Sequence, residues 1–491
     1  MTAQDRELRE AQMAIVNSKF AHDDFGPRNG STSGETADLP KLLDYPFTDV
    51  GNAERMVEMH GAELRYCHPW GKWLYWNEER WCLDATAEVV RRAKATTRKM
   101  FMMAARLSDS DKRDRLFKHA RDTEKYAHLN AMIALAAAEE KIPVLPADLD
   151  SDPWLLNVLN GTVDLRTGKL GPHCREHLIT KLAPVEYDAG AECPMWLAFQ
   201  EKIMGGNAEL IRFKQRAVGY SLTGIATDKR SLFMYYGSKG NNGKTTELEM
   251  LREILGEYAG QIRVEQLMEQ QHQSGNAPSP DIADLRGQRF VLASEPRENQ
   301  RLAEAKIKYL TGMGTIKARH LHKENDEFKQ TWKIFMECNH KPVISGTDPA
   351  IWNRIGLIPF EVEIPAEEID MTMPAKLRSE LPGILAWAVR GCLDWQRNPV
   401  TTPDQVRDAT AEYRSEMDVI GRFISECCVV GDYSSCRAKN LYSAYKIWAE
   451  KSGENAISMT TFGNVVTNRG YRKTHDMKGN KYDGIGLSET A

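Results

Sequence analysis

The sequence predicts an α/β core that lies between two smaller modules of helices and strands. A short apolar run, Leu232–Tyr236, is followed by a turn rich in glycine and asparagine and then by an amphipathic run that ends at Leu255. Two further apolar runs, Phe290–Ala293 and Trp332–Cys338, follow downstream, and a polar side chain comes after each of them. Apolar runs of this length, bounded by turn residues, are typical of buried strands.

The stretch from Ser231 to Leu255 reads SLFMYYGSKGNNGKTTELEMLREIL and has the pattern of a phosphate-binding loop. Its glycines allow backbone N–H groups to surround an anion, and the following helix adds the partial positive charge of its N-terminus. Lys244 would reach the β- and γ-phosphates, and the Thr245 hydroxyl would bind Mg²⁺. The predicted nucleotide-binding residues are Gly237, Ser238, Lys239, Gly240, Asn241, Asn242, Gly243, Lys244, Thr245 and Thr246.

The spacing of this loop departs from the usual one. The first glycine normally lies five residues before the Gly-Lys pair. Here Ser238 occupies that position, and Gly237 lies one residue earlier. A glycine-rich hairpin turn that ends in Lys-Thr is the alternative interpretation, but the flanking strand and helix favour a phosphate-binding loop.

Two polar residues follow the downstream apolar runs. Glu295 comes after Phe290–Ala293, where ATPases of this kind place an acid that holds the Mg²⁺ shell or polarises the attacking water. Asn339 comes after the next run, and its amide would bind the γ-phosphate or that water; a turn residue at a strand end is the simpler interpretation. The predicted cofactors are ATP and Mg²⁺, with Thr245 and Glu295 as the metal residues.

The composition excludes several classes of protein. Hydrophobic residues make up 42% of the 491 residues, which is enough for large cores, and the net charge of −4 gives no overall basic character. Any contact with nucleic acid must therefore come from local patches. The nine cysteines form no CxxC pair, so structural zinc and a disulfide framework are not expected. The sequence has no apolar run near 18 residues and a charged N-terminus, so we expect a cytoplasmic protein without a membrane span or signal peptide.

The region before the core predicts a leader and a mixed module. Residues 1–45 are polar and predict a disordered leader. The aromatic stretch Trp73–Trp81 predicts a hairpin, whose tryptophans either form a small core or stack on bases. Residues 85–141 are helical in character, and their basic residues are interpreted as a solvated helix face. Turn signals at Asn160-Gly161 and Thr167-Gly168 predict further hairpins.

The region after the core predicts a winged helix. A proline-bounded linker precedes a segment that starts at Ala409, and helices are expected at Ala438–Lys451 and Met459–Arg469. A hairpin follows from Tyr471 to Leu487, with its turn at Gly479-Asn480. Lys and Arg outnumber Asp and Glu by nine to six from Gly431 onward. We expect DNA contacts here, although a protein-binding winged helix is the alternative; the basic candidates are Arg472, Lys473, Lys478 and Lys481.

Several segments together resemble one family, the superfamily 3 helicases of phages, plasmids and large DNA viruses, in particular the poxvirus and phage/plasmid primase-helicase type. The core segments that carry the resemblance are YYGSKGNNGKTT, QRFVLASEP, IKYLTGMGTIKARHLHKENDEF, WKIFMECNHKP and GTDPAIWNRIGLIPF. The flanking segments are DPWLLNVLNGTVDLRTGKL, VGYSLTG, FISECC, NLYSAYKIWAEKSG and MTTFGNVVTNRGY. The resemblance covers residues 47–487.

The resemblance implies a P-loop, AAA+-type ATPase core that forms a ring, usually a hexamer, and moves along single-stranded DNA, usually 3′ to 5′. It assigns Lys244 and Thr245 to the Walker A motif, Glu295 to Walker B and Asn339 to the sensor position. It identifies Arg354 as an arginine finger that acts on the neighbouring subunit. Many relatives have two adjacent acids at Walker B, whereas this chain has Ser294 before Glu295.

The resemblance also places a pore loop at residues 306–323. The family often has Gly-Gly-Asp where this chain reads Gly312-Met313-Gly314, so the resemblance does not define the geometry of the loop. A basic loop of this kind would neutralise DNA phosphates without regard to sequence. The predicted DNA-binding residues of the loop are Lys308, Lys317, Arg319, His320 and Lys323.

The predicted domains are a disordered leader (1–45), an α+β helicase-associated domain (46–205), a superfamily 3 helicase ATPase domain (206–398), a linker (399–416) and a winged helix (417–491). The predicted function is an ATP-dependent replicative DNA helicase of a phage or mobile element that acts on single-stranded and forked DNA. A separate primase or initiator is a plausible partner, since no primase domain is apparent in the sequence. An ATP-regulated origin-binding initiator and an ATPase that acts on protein partners are the alternatives.

Overall fold

The computed structural model describes residues 39–228, 230–270, 280–312, 314–318, 326–344, 348–398, 402–477 and 479–488. The helices are Leu39–Asp44 (α1), Asp49–His60 (α2), Glu88–Arg106 (α3), Ser110–Thr123 (α4), Tyr126–Ala136 (α5), Pro194–Ile203 (α6), Ala208–Leu222 (α7), Lys244–Leu255 (α8), Pro280–Ala283 (α9), Glu304–Leu310 (α10), Pro349–Trp352 (α11), Met373–Arg378 (α12), Leu381–Arg397 (α13), Asp404–Met417 (α14), Val419–Cys427 (α15), Ala438–Lys451 (α16) and Met459–Asn468 (α17). The strands are Leu64–Cys67 (β1), Lys72–Trp76 (β2), Trp81–Leu83 (β3), Leu155–Val158 (β4), Gly161–Asp164 (β5), Lys169–Gly171 (β6), Leu232–Tyr236 (β7), Ala259–Ile262 (β8), Phe290–Ala293 (β9), Thr315–Ala318 (β10), Asp326–Lys329 (β11), Lys333–Cys338 (β12), Ile355–Pro359 (β13), Cys428–Arg437 (β14), Arg472–Asp476 (β15) and Gly479–Leu487 (β16). Most of the predicted leader, 1–45, lies outside the described residues.

One compact unit is helical and comprises the described residues up to Leu64 together with Ala85–Pro143. Helices α2 to α5 pack against one another in it, which confirms the helical prediction for this region. A buried asparagine, Asn52, joins two of them, because its side-chain amide donates to the Thr123 hydroxyl at 3.1 Å and its oxygen lies 2.8 Å from His119 Nε2. Buried polar groups that are hydrogen-bonded in this way fix the relative position of the helices.

The other unit comprises Arg65–Asp84 and Val144–Ala491. The predicted aromatic hairpin is present as β2 and β3, which pair antiparallel. Trp81 is buried, and its Nε1 donates to the Arg175 carbonyl at 2.8 Å. Trp81 therefore belongs to a small aromatic core. The hairpins predicted around residues 160 and 168 are present as β4, β5 and β6.

A five-stranded sheet forms the centre of this unit within the described residues, and its order is β13-β7-β12-β9-β8. Every pairing in it is parallel. Leu232 and Met234 face one apolar core, while Phe233 and Tyr235 face the other. Burial on both faces explains why the strands read as continuous apolar runs. The carboxyl ends of β7, β12 and β9 consequently lie side by side at one edge.

A buried ion pair ties α8 to α7 below the loop that follows β7. Lys214 Nζ lies 2.6 Å from Glu247 Oε2, and both side chains are fully buried. Gln200 accepts from the same ammonium at 2.8 Å, and the Tyr235 hydroxyl donates to the other Glu247 oxygen at 3.1 Å. Burial lowers the pKa of Lys214, and the Glu247 carboxylate opposes that shift.

Glu247→Ala is expected to lower the free energy of unfolding by about 3–5 kcal/mol, because it leaves the Lys214 ammonium buried without a counter-charge. Urea unfolding followed by tryptophan fluorescence measures the effect. Glu249→Ala is the matched control on the same helix, since Glu249 is exposed and pairs with Arg252, and it should cost no more than about 1 kcal/mol. The double variant Lys214→Met/Glu247→Leu should recover most of the loss. Equal effects of Glu247→Ala and Glu249→Ala would contradict this account.

The C-terminal module has its own apolar core, which includes Phe423, Leu441, Tyr445 and Phe462. The predicted helices and hairpin are present as α16, α17, β15 and β16. Strand β14 was not predicted, because its sequence, CVVGDYSSCR, is polar in the middle; it pairs with β16 and its register shifts between Val430 and Ser435. The bounds of the five predicted domains stay a prediction.

Most of the segment predicted as a linker, 399–416, is in fact helical. Helix α14 starts at Asp404, and its Tyr413 is fully buried against Trp352. The Tyr413 hydroxyl donates to the Pro342 carbonyl. This segment therefore packs on the core of the central sheet and does not act as a free connection.

Candidate nucleotide-binding and catalytic site

The loop between β7 and α8 depends on two of its three glycines. A Cβ on Gly237 would lie 2.4 Å from Asn242 Nδ2 and 2.7 Å from the Phe360 carbonyl oxygen. Gly243 has a φ of 82°, and a Cβ there would lie 2.6 Å from Ile203 Cγ2. Gly240 has open space around it. The glycine one residue before the usual position is thus the one that the backbone requires.

The rest of the loop is open to solvent. Ser238, Lys239, Gly240 and Asn241 are exposed, whereas Asn242 is buried and donates to the Lys239 carbonyl at 2.8 Å. Lys239 pairs with Glu363 at 2.7 Å. Thr246, which is half-buried, lies in the first turn of α8. The loop therefore presents backbone groups to solvent at the N-terminus of a twelve-residue helix.

Lys244 is the first residue of α8 and bridges the ends of two strands. Its Nζ donates to the Gly237 carbonyl at 2.9 Å and to Asn339 Oδ1 at 2.7 Å. The side chain is only 2% exposed. Burial lowers the pKa of Lys244, and the carboxylates of Glu337 and Glu295 partly offset that effect.

Asn339 also binds Glu295, which follows the neighbouring strand β9. Its backbone N–H donates to Glu295 Oε1 at 3.0 Å, and its Nδ2 donates to Oε2 at 2.9 Å. Lys244, Asn339 and Glu295, which were predicted separately from the sequence, thus form one chain of hydrogen bonds. Glu295 is exposed at its end, where a carboxylate can reach a water molecule.

Glu337 was missed by the sequence analysis. It lies on β12, and its Oε1 accepts a hydrogen bond of 2.6 Å from the Thr245 hydroxyl. It also lies near Cys338, whose pKa is raised by burial first and then by the Glu295 and Glu337 carboxylates. The only sequence signal was an acid inside an otherwise apolar strand, KIFMEC.

The donors of this site fit a hard cation. Thr245 supplies a hydroxyl, and Glu295 and Glu337 supply carboxylates, which are the ligand types that Mg²⁺ accepts. Among the described residues, no group of three or more His, Cys, Asp or Glu side chains is arranged to hold a metal by itself. An arrangement with few protein ligands is usual for Mg²⁺, which keeps several waters and binds with substrate phosphates.

Arg354 lies at the amino ends of the strands, whereas the phosphate loop lies at their carboxyl ends. It directly precedes β13, and its carbonyl accepts from the N–H groups of Ser231 and Leu232 at the start of β7. At about 3.3 Å per residue, the length of β7 separates it from the loop by roughly 20 Å. One guanidinium nitrogen donates to the Ala350 carbonyl at 2.6 Å, and Nε is buried with no partner in the described part of the chain. Arg354 therefore does not reach the phosphate loop of its own chain.

The predicted pore-loop region, 306–323, contains strand β10, which pairs antiparallel with β11 directly before β12. Lys317 is exposed on it and pairs with Glu327 on the facing strand at 2.6 Å. Lys308, on α10, pairs with Asp348 at 2.5 Å. Arg319, His320 and Lys323 lie outside the described residues. The DNA-binding role of these five residues stays a prediction.

The predicted basic residues of the C-terminal hairpin share a face with acids. The register aligns Arg472 with Asp483 and Arg437 with Lys481, so these four side chains lie on one face. Lys481 pairs with Asp483 at 3.0 Å, and Arg437 pairs with Asp476 at 2.6 Å. Lys473 is exposed on the other face, and Lys478 lies outside the described residues. The positive charge of this face is therefore smaller than the sequence suggested.

Two family models match the regions on either side of the loop. The model described as "D5 N terminal like" matches residues 53–205, and the model described as "Poxvirus D5 protein-like" matches residues 415–484. The loop site lies in the part of the chain between these matches. In both of these regions the chain is similar to the poxvirus D5-type family.

Curated relatives of this chain come from large DNA viruses. A candidate helicase of Acanthamoeba polyphaga mimivirus is 25% identical over 421 residues, which are 77% of this chain and 43% of the relative. A candidate helicase of Frog virus 3 is 28% identical over 274 residues, which are 52% of this chain and 28% of the relative. A candidate primase of African swine fever virus is 26% identical over 217 residues, which are 42% and 22% of the two chains. This chain thus spans less than half the length of these relatives.

One solved structure, the apo C-terminal region of NrS-1, matches this chain with a TM-score of 0.44 and 11% identity, and the match covers 86% of this chain and 96% of that one. That likeness is too weak for a detailed comparison. None of the described helices is long and apolar enough to cross a membrane.

Proposed function

We propose that this protein is an ATP-driven replicative DNA helicase that works on single-stranded and forked DNA as a ring of identical subunits. The observation that carries the proposal is the hydrogen-bonded chain of Lys244, Asn339 and Glu295, which joins the phosphate loop to the ends of two neighbouring strands. A lysine, an amide and an acid at that edge of a parallel sheet are suited to hydrolysis of a nucleoside triphosphate. The helicase and primase names of the viral relatives support DNA as the partner.

Each residue of the site has a role in this proposal. The loop amides and Lys244 hold the β- and γ-phosphates, and Thr245 and Glu295 belong to the Mg²⁺ site. Bound Mg²⁺ neutralises charge on the phosphate oxygens. Glu295 orients and deprotonates the attacking water, and Asn339 holds the Glu295 carboxylate while its own side chain faces the γ-phosphate.

The position of Arg354 supports the ring. An arginine that stabilises charge on the transferred phosphate must lie at the phosphate. Arg354 lies at the end of its own sheet opposite the loop, so we assign it to the loop of a neighbouring subunit. In the same proposal, the basic residues of the β10–β11 hairpin and of the C-terminal module contact DNA phosphates.

ATP hydrolysis and fork unwinding test the function together. Wild-type protein should hydrolyse ATP faster with single-stranded DNA than without it and should displace a strand from a forked duplex, and Lys244→Ala should do neither. Lys202→Ala is a matched control, because Lys202 is an exposed lysine that pairs with Glu368. ATP hydrolysis without unwinding, with a footprint on one duplex sequence, would favour an initiator. ATP hydrolysis that DNA does not stimulate would favour an ATPase that acts on proteins.

A further inference from the structure

Glu337 is a carboxylate that faces the phosphate loop from the strand beside it. Its Oε1 accepts a hydrogen bond of 2.6 Å from the Thr245 hydroxyl, the group expected to bind Mg²⁺. Glu337 is half-buried, and Thr245 is exposed. We infer that Glu337 is the second acid of the magnesium site and holds the ion together with Thr245. This inference rests on the proposed function.

The alternation of side chains along β12 directs Glu337 toward the phosphate loop. Successive side chains of a strand point to opposite faces, so Phe335, Glu337 and Asn339 share one face. Phe335 packs in the apolar core that also contains Leu248 and Leu251 of α8. The next two residues on that face are therefore directed toward the start of α8, and both in fact bind its first residues.

The neighbouring strand explains why an acid is needed at this place. ATPases of this type commonly have two acids after the strand that corresponds to β9, and this chain has Ser294 followed by Glu295. The register pairs Met336 with Ala293. Continued by one residue, it brings Ser294 beside Glu337. The carboxylate that Ser294 lacks is thus supplied from the adjacent strand.

The hydrogen bonds of Glu337 and Glu295 place the two acids on different sides of the site. Glu337 binds the Thr245 hydroxyl, so it lies on the side of the loop where Mg²⁺ is expected. Glu295 is bound at both oxygens by Asn339, so it lies on the side of the γ-phosphate and the water. An acid that only fixes the Thr245 hydroxyl would explain the same hydrogen bond. The two explanations differ in what Mg²⁺ does to nucleotide affinity.

The test measures binding of adenylyl imidodiphosphate by calorimetry, in EDTA and across a Mg²⁺ titration. Glu337→Gln keeps an oxygen that can accept from Thr245 but removes the charge. Glu337→Gln should raise the Mg²⁺ concentration that gives half of the full increase in nucleotide affinity about 10- to 100-fold. In EDTA the nucleotide affinity of this variant should equal or exceed that of wild type, because one negative charge near the phosphates has been removed.

Two further variants complete the test. Glu363→Gln is the matched control, since Glu363 is an exposed acid that pairs with Lys239 of the same loop, and it should keep the wild-type Mg²⁺ response. Glu337→Gln with Ser294→Asp should regain much of that response, because the acid returns to the adjacent strand. A wild-type Mg²⁺ response in Glu337→Gln, or weaker binding in EDTA, would overturn the inference while the proposed function stands. Absence of nucleotide binding by wild type would overturn both.

Discussion

Arg354→Ala is expected to lower ATP turnover by about 10³-fold or more, the effect of removing an arginine that stabilises charge on the transferred phosphate. The reason is positional, since Arg354 lies at the amino ends of the strands of its own sheet and the loop lies at their carboxyl ends. Turnover should be measured at protein concentrations where wild type is fully assembled. Nucleotide affinity should change far less than turnover, because the loop of each subunit remains intact.

Mixing of variants separates this role from a structural one. In the proposed ring, an active interface needs Glu295 from one subunit and Arg354 from its neighbour. Arg354→Ala and Glu295→Gln subunits, each inactive alone, should therefore form some active interfaces when mixed, about a quarter of the total at equal amounts if they combine at random around a symmetric ring. Arg378→Ala is the matched control, because Arg378 is exposed and pairs with Glu253. A loss below tenfold in Arg354→Ala, or no activity in the mixture, would refute the assignment.

Glu295→Gln is expected to lower ATP hydrolysis by about 10²- to 10⁴-fold, the usual contribution of a positioned general base. The amide has the size of the acid but does not accept the proton of the attacking water. ATP binding should persist, since Lys244 and the loop are unchanged. Hydrolysis and binding should be measured on the same preparation.

The control for this change is Glu298→Gln, because Glu298 is an exposed acid three positions along the chain. It should leave both hydrolysis and binding unchanged. Hydrolysis by Glu295→Gln at more than a tenth of the wild-type rate would assign the base to another residue.

Much of the central fold was predictable because its strands are buried on both faces. Leu232–Tyr236 and Phe290–Ala293 have the bounds that the apolar runs predict. Strand β14 was not predictable, since its middle residues are polar and its strand character comes from pairing with β16, more than fifty residues later. Helix α14 was taken for a linker because two prolines precede it and because its two fully buried residues, Val406 and Tyr413, lie far apart in a mostly polar segment.

The candidate site, too, could be predicted only in part from the sequence. Lys244, Glu295 and Asn339 could be named from the sequence because each comes within two residues of the end of a strand or a glycine-rich turn. Glu337 could not, because its partner Thr245 lies 92 residues earlier and the two meet only after β7 and β12 pair. The order of strands in a parallel sheet is a property of the whole chain, and a local pattern does not contain it.

The hydrogen-bonded chain of Lys244, Asn339 and Glu295 also bears on how long a nucleotide stays bound. Without ligand, the lysine already has two acceptors, and the amide already has a donor and an acceptor. If the loop takes ATP as proposed, each phosphate contact of Lys244 replaces an existing hydrogen bond, so the net gain in free energy is smaller than the contact itself. These existing hydrogen bonds would therefore limit the affinity for nucleotide. When the hydrolysed nucleotide leaves, Lys244, Asn339 and Glu295 would form their hydrogen bonds to one another again. The proposed helicase must release product at every step, so rapid dissociation of product matters more for its turnover than tight binding of nucleotide.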